Sequence, residues 1–253
     1  MRPYLLGEST WKQVREQEVD LVILPWGATE AHNLHLPYAT DVLQSDHLAA
    51  EAARLAHEQG AKVMVLPTIP FGVNTGQTDI YLDINLNPST MTAIVGDVLE
   101  TLDRQGVRKF LIFNSHGGND FKPILRELGL QYPDMFMAFT NWFSTVDKSQ
   151  YFENDGDHAD EMETSLMLHI RPDLVRPLSD AGPGIEHKIK IESIQQGWAW
   201  TERKWSEVTD DTGIGDPRQA TIEKGAAYFK DVTQKMADLF IEIANADLND
   251  LYE

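Results

Sequence analysis

Three short clusters in this chain carry side chains able to hold a cation or move a proton. The first is Thr29-Glu30-Ala31-His32-Asn33-Leu34-His35-Leu36-Pro37, followed by Thr40-Asp41. Glu30 and His32 stand two residues apart, so in an extended segment both side chains leave the same side of the backbone. Asp41 opens the next expected helix, from which its carboxylate can turn back towards them. Zinc, manganese and iron accept such mixed imidazole and carboxylate ligands. The same residues also read as a strand-end loop with solvated acids and a capping aspartate.

The second cluster is Asn114-Ser115-His116-Gly117-Gly118-Asn119. A histidine straight after an apolar strand, with two glycines opening a helix, lies where backbone amides can receive an anion or a developing oxyanion. A turn that binds nothing, in which glycine supplies unusual dihedrals, is the competing reading. The third cluster is Asp157-His158-Ala159-Asp160-Glu161-Met162-Glu163-Thr164-Ser165. Placed on a helix, Glu163 shares the apolar stripe with Ala159, Leu166, Met167 and Ile170. A carboxylate there must be paired, protonated or bound to metal, because burying it bare is too costly. Asp160 and Glu161 fall off that stripe and are expected in solvent.

The elements that would position these clusters alternate strand with helix. Strands are expected at Val19–Trp26, Ala61–Leu66, Lys109–Phe113 and Met135–Trp142. Helices are expected at Val42–Gln59, Pro88–Gln105, Phe121–Leu130, Asp157–Ile170 and Thr221–Ala244. Alternation of this kind predicts a mostly parallel sheet covered on both faces, with ligands beyond the carboxyl ends of the strands. Two of the clusters directly follow expected strands. The Trp-rich stretch Gly197 to Trp205 reads as a lid, a subunit contact or packing, with packing preferred.

The chain has 253 residues, 42% of them hydrophobic, enough for one sizeable core, and no linker-like stretch or repeat divides it. A single domain over residues 1–253 is expected. A net charge of -19 argues against a nucleic-acid surface and against adhesion to anionic membranes. The chain has no cysteine, which removes disulfides, thiolate zinc sites and a cysteine nucleophile. No apolar run approaches a membrane span and Met1 to Thr10 lacks a signal-like apolar core, so a cytoplasmic location is expected. Walker A, Rossmann, His-Glu-x-x-His and Gly-x-Ser-x-Gly patterns are all missing.

Taken together, the clusters resemble the creatininase (creatinine amidohydrolase) family. The resemblance lies in Gly-x-x-Glu-x-His-x-x-His-Leu-Pro-x-x-Thr-Asp from Gly27 to Asp41, the His-Gly-Gly-Asn at His116 and the His-Ala-x-x-x-Glu-Thr-Ser at His158. A later Gly-Asp-Pro at Gly215, with Ala220-Thr221 and Lys224-Gly225 beyond it, completes the ordered set. What the resemblance implies is a three-layer α/β/α sandwich with a mostly parallel central sheet and a binuclear metal site. It implies two divalent transition-metal ions (Zn, Mn or Fe), one held by Glu30, Asp41 and His116 and the other by His32 and Asp41. Creatininase adds a glutamate two residues after the histidine matching His116; this chain has Gly118 there, and Glu163 is the candidate replacement.

By the same resemblance, His158 would be the general acid/base, with Asp157 as an acidic neighbour. Gly117, Gly118, Asn119 and Trp142 would face the substrate, and a metal-bridging hydroxide would open a small-molecule amide. Homo-oligomers, hexamers in particular, are implied as well. The segment Asn74-Thr75-Gly76-Gln77-Thr78-Asp79-Ile80-Tyr81 departs from the family's usual His and Phe-Pro-Gly-Thr stretch, and Asn154 stands where a second tryptophan is expected. The expected substrate is therefore a cyclic amide or a formamide other than creatinine, or a small peptide amide. A ligand- or metal-binding scaffold without turnover is the alternative, and a phosphate-binding regulator has only fold-level support.

Overall fold

A computed structural model describes residues 2–154 and 156–253. In chain order its elements are α1 (Trp11–Val14), β1 (Leu21–Trp26), α2 (Thr40–Glu58), β2 (Val63–Val65), α3 (Pro88–Arg104) and β3 (Lys109–Asn114). They continue with α4 (Phe121–Leu128), β4 (Phe136–Asn141), α5 (Glu161–Ile170), α6 (Glu192–Gln195), α7 (Trp205–Val208) and α8 (Ile222–Asn245). The four strands form one parallel sheet in the order β2-β1-β3-β4.

The alternation of side chains along a strand builds the three layers. Leu21 and Ile23 of β1, with Leu111 and Phe113 of β3, point into a core shared with Leu48, Ala52 and Ala56 of α2, Leu166 of α5 and Tyr228 and Phe240 of α8. Val22, Leu24 and Trp26, with Phe110 and Ile112, point the other way, against Val95 and Leu99 of α3 and Phe121 and Ile124 of α4. The expected α/β/α sandwich is therefore the observed one. Small residues on α2, Ala49, Ala52, Ala53 and Ala56, let that helix lie close to the sheet and α8.

The chain runs from β1 outward to β2, then crosses back to place β3 on the other side of β1. The carboxyl ends of β1 and β3 are thus the switch point of the sheet, where loops diverge and leave a crevice. Both strand-following clusters open from these two ends.

Three local expectations change. The helix expected from Asp157 begins only at Glu161. His158 instead pairs its backbone with Ile214, Ala159 takes a positive φ of 50°, and the Asp160 carboxylate caps the helix by accepting from the Glu163 amide at 3.0 Å. The His-Gly-Gly-Asn segment is a turn and not a helix start, since α4 is capped by Asp120 one residue before Phe121. Packing holds only for Trp205 in the Trp-rich stretch, whereas Trp198 and Trp200 are 72% and 82% exposed.

Candidate metal centre

Glu30 and His32 follow β1 in a loop pinned from several directions. The Glu30 amide donates to Tyr38 O, the Ala31 amide donates to Asp83 Oδ1 at 2.7 Å, and Asn33 sits at φ 52° with its side-chain oxygen accepting from the Leu34 and Gly182 amides. Asp41 enters from the first turn of α2, where Gly27 lets the helix approach the end of β1. His116 follows β3, braced by Asn114, whose amide group donates to His116 O at 2.8 Å. Glu163 comes from the first turn of α5 and His158 from the extended segment before it.

These side chains converge, and nearly every one is buried. His116 Nδ1 lies 2.9 Å from Glu30 Oε1 and 3.2 Å from Asp41 Oδ2. His32 Nε2 lies 3.1 Å from Asp41 Oδ1 and 3.9 Å from Glu163 Oε2. Two donor triads result, Glu30-Asp41-His116 and His32-Asp41-Glu163, and each brings its ligand atoms within 4.8 Å of one another. Asp41 belongs to both, with one carboxylate oxygen turned to each. A third grouping, Glu30-His32-His158, overlaps them.

Each histidine is oriented by a backbone carbonyl. His116 Nε2 meets Val73 O at 3.0 Å, His158 Nε2 meets Ala31 O at 2.8 Å, and His32 Nδ1 meets Glu30 O at 3.1 Å. A carbonyl can only accept, so each of those ring nitrogens carries the proton and the opposite nitrogen presents its lone pair to the centre. His116 Nδ1, Glu30 Oε1 and Asp41 Oδ2 therefore bring electron pairs to one small volume. Glu30 Oε1 and Asp41 Oδ2 are buried and accept no well-directed hydrogen bond. Such an arrangement repels itself unless a cation lies between its members, and the donor set fits zinc, manganese or iron.

The electrostatics say the same. Burial pushes the Glu30 pKa up, yet the attraction of the neighbouring imidazoles, His116 first and also His32, outweighs it and holds the carboxyl below its usual range. Burial works against a charged His32, but Asp41, Glu163 and Glu30 raise it to about 10, and His116 is raised well above its ordinary value by Glu30 and Asp41. Glu163 is pushed up to about 7, by burial above all and then by the nearby carboxylates. With protons as the only neutralising charge, the cluster holds them tightly. His158 is the exception, lowered by burial and by His32, which keeps it neutral and able to take a proton.

Two cavities open on the centre and share Glu30, His116, Gly117, Asp157 and His158 in their walls. The larger, about 160 Å³, is also lined by Asn74, Gln77, Gly118, Arg203 and Trp205. The smaller, about 100 Å³, reaches Asp41, Phe143, Lys148 and Glu163. The edge of the Trp205 ring packs on His158, with centroids 5.3 Å apart.

The expected site residues divide accordingly. Glu30, His32, Asp41, His116, His158 and Glu163 come together, while Gly117 and Gly118 line the cavities. Asp157 lines both cavities but pairs with Arg203 at 2.9 Å instead of steering His158. Trp142 faces away: its indole is 1% exposed and donates to Ser115 Oγ at 2.7 Å within the core. Asn119 is also structural, because both ends of its amide are used, one on Asn114 and one on the Val73 amide. Asp160 and Glu161, expected in solvent, are 2% and 0% exposed; Glu161 is buried beside Lys224 at 2.5 Å. His35 lies behind the centre, bonded to Thr164 Oγ1 at 2.8 Å.

Sequence reasoning did not assign Gln77, Asp83 or Trp205 to the site. Gln77 lies in the segment that departs from the family pattern, which was its only signal. Asp83 comes from an irregular segment and Trp205 from the single turn of α7, too short to carry a periodicity.

A three-layer sandwich with two carboxylate- and imidazole-rich donor triads at its switch point defines a metal-dependent hydrolase. The creatininase family, described as creatinine amidohydrolase, matches residues 7–240, and the chain belongs to it. Creatinine amidohydrolase of Pseudomonas putida is 30% identical over 194 residues, 67% of this chain and 73% of that protein. The mycofactocin precursor peptide peptidase of Mycobacterium tuberculosis is 25% identical over 231 residues, 88% of this chain and 85% of the relative. The crystal structure of a Bacteroides fragilis protein classed as a creatinine amidohydrolase superposes with a TM-score of 0.93 at 45% identity, covering 100% of both chains.

Proposed function

We propose that this enzyme hydrolyses a C–N bond in a small cyclic amide or formamide, using two divalent metal ions held by Glu30, Asp41 and His116 and by His32, Asp41 and Glu163. The observation that carries the reading is Asp41, whose two oxygens face two separate donor triads. Divalent zinc, manganese or iron held there supplies an acidified water and polarisation of the amide carbonyl.

The chain's own residues supply the rest. His158, neutral and with Nδ1 turned to the centre 3.8 Å from Glu30 Oε1, is placed to take a proton from the attacking water and hand it to the leaving nitrogen. The amide N–H groups of Gly117 and Gly118 meet no acceptor among the described residues, which leaves them to receive a carbonyl oxygen that gains charge. Trp205 and Arg203 line the larger cavity, with the Arg203 guanidinium 4.8 Å over the Trp205 ring.

Cavities of about 160 and 100 Å³ suit a small molecule better than a polypeptide segment, so peptide cleavage of the kind named for the mycobacterial relative is the second reading. Elemental analysis of protein purified without chelator tests the proposal. About two transition-metal ions per chain is the expected count for a two-metal mechanism; no retained metal after supply of zinc or manganese would leave a scaffold without turnover.

A further inference from the structure

His32 and His158 each bring a single lone pair to the centre. Their N–H groups are taken up by backbone carbonyls, His32 Nδ1 by Glu30 O at 3.1 Å and His158 Nε2 by Ala31 O at 2.8 Å. Only His32 Nε2 and His158 Nδ1 are left to bind a cation. Both face the same carboxylate oxygen, for Glu30 Oε1 lies 4.0 Å from His32 Nε2 and 3.8 Å from His158 Nδ1. The two rings are 4.2 Å apart, centroid to centroid, and tilted by 40°. Glu30 Oε1 is buried without a well-directed donor, and these ligand atoms all lie within 4.8 Å of one another. Three electron pairs thus converge with no proton between them. This is a donor triad in its own right, and it contains the candidate base.

The triad cannot be filled independently of the other two. An imidazole lone pair serves one cation, whereas a carboxylate oxygen has two pairs and can serve two. His32 therefore joins either Asp41 and Glu163 or Glu30 and His158, and never both. An ion near His32 has two exclusive positions. In the first, Asp41 links it to the ion held by Glu30, Asp41 and His116; in the second, Glu30 does. The donor sets differ in kind, two carboxylates and one imidazole against one carboxylate and two imidazoles. Carboxylate-rich sites suit manganese, and imidazole suits zinc. Leaving the Glu163 position does not strand its carboxylate, because Glu163 Oε2 accepts from the Ala159 amide at 2.5 Å.

We propose that Glu30, His32 and His158 form an alternative position for the second ion, preferred by zinc over manganese, and that an ion there silences the enzyme by engaging the His158 nitrogen that would take the proton. This rests on the two-metal hydrolase reading and adds a metal-selective off state to it. One ring nitrogen cannot hold an ion and accept a proton at the same time. Manganese, drawn to Asp41 and Glu163, leaves His158 Nδ1 open.

The test starts from protein loaded with zinc or with manganese. Release of the more weakly held ion is followed by chelator competition in the wild type, His158→Gln and Glu163→Gln. His158→Gln is expected to weaken retention of the second zinc by at least about tenfold, the lower end of what loss of support to a ligand costs, and to leave manganese unchanged. At saturating zinc its metal count stays full, because zinc falls back on Asp41 and Glu163. Glu163→Gln is expected to do the reverse, weakening manganese and sparing zinc. Unchanged zinc retention in His158→Gln, or equal weakening of both metals in either variant, would overturn the alternative position. If one variant does not fold, the other decides alone. A wild type that retains neither metal sinks the hydrolase reading, whereas one that holds both while its variants show no metal preference sinks only the off state.

Discussion

Gly27 lies flat against the peptide that joins Asp41 to Val42. A Cβ added there would stand 2.8 Å from Val42 N and 2.9 Å from Asp41 C, both backbone atoms of the first turn of α2. The only relief is for the helix start to move, and Asp41 moves with it. Gly27→Ala is therefore expected to cost about 1–3 kcal/mol through overpacking. It should also weaken metal retention by about 10–100-fold, as loss of ligand support does. Chelator titration alongside thermal unfolding checks both effects. A variant with wild-type metal affinity would show that α2 tolerates the shift.

The two glycines after His116 differ in what surrounds them. A Cβ on Gly118 would meet Val73 O at 2.4 Å and His116 Nε2 at 2.5 Å, the two atoms whose hydrogen bond orients the imidazole. Around Gly117 there is open space. Gly118→Ala is expected to lose metal, and Gly117→Ala to keep its metal and its folding stability within about 0.5 kcal/mol. Metal counts on the two variants compare them directly, and equal counts would contradict the assignment of His116.

Asp41 and His158 should separate binding from proton transfer. Asp41→Ala removes a donor from both triads and is expected to release both ions. His158→Ala leaves both triads complete, so the metal count should hold while turnover falls by about 10²–10⁴-fold. Full metal and activity in Asp41→Ala would end the bridging assignment.

His35 offers a test by pH. Burial, then the charge of His32, lowers its pKa to about 4, against an ordinary value of 6.5. Between these values the unfolded chain binds a proton that the folded chain does not, so stability rises with pH from about 4 to 6.5 and is lost on acidification through that window. The full effect is up to roughly 3 kcal/mol at 1.36 kcal/mol per unit. Urea unfolding of wild type and His35→Gln across the window should give a shallower slope for the variant; parallel slopes would show that His35 does not titrate there.

Much of this site could be read from residue order. Glu30, His32 and His116 each follow a short β-branched or aromatic run, and a strand's end fixes where the next few residues emerge. The alternation of Leu21 and Ile23 with Val22 and Leu24 likewise announced a strand buried on both faces, because period two is a local property. Glu161 shows the limit of such reading. Its position off the apolar stripe predicted solvent, yet Lys224 from the start of α8 covers it, and nothing near residue 161 records where residue 224 will pack.

The sequence by itself determined the alternation of strand and helix, the absence of thiol chemistry, and the residue types of the centre, all set by local spacing and composition. Tertiary structure alone decided that Asp41 turns one oxygen to each triad, that Trp142 is spent on Ser115, and that Asn74 and Gln77 reach the cavity. These depend on approaches between segments far apart in the chain, governed by close packing and by the pairing of buried polar groups. Such constraints act on the folded whole and leave no period in the sequence.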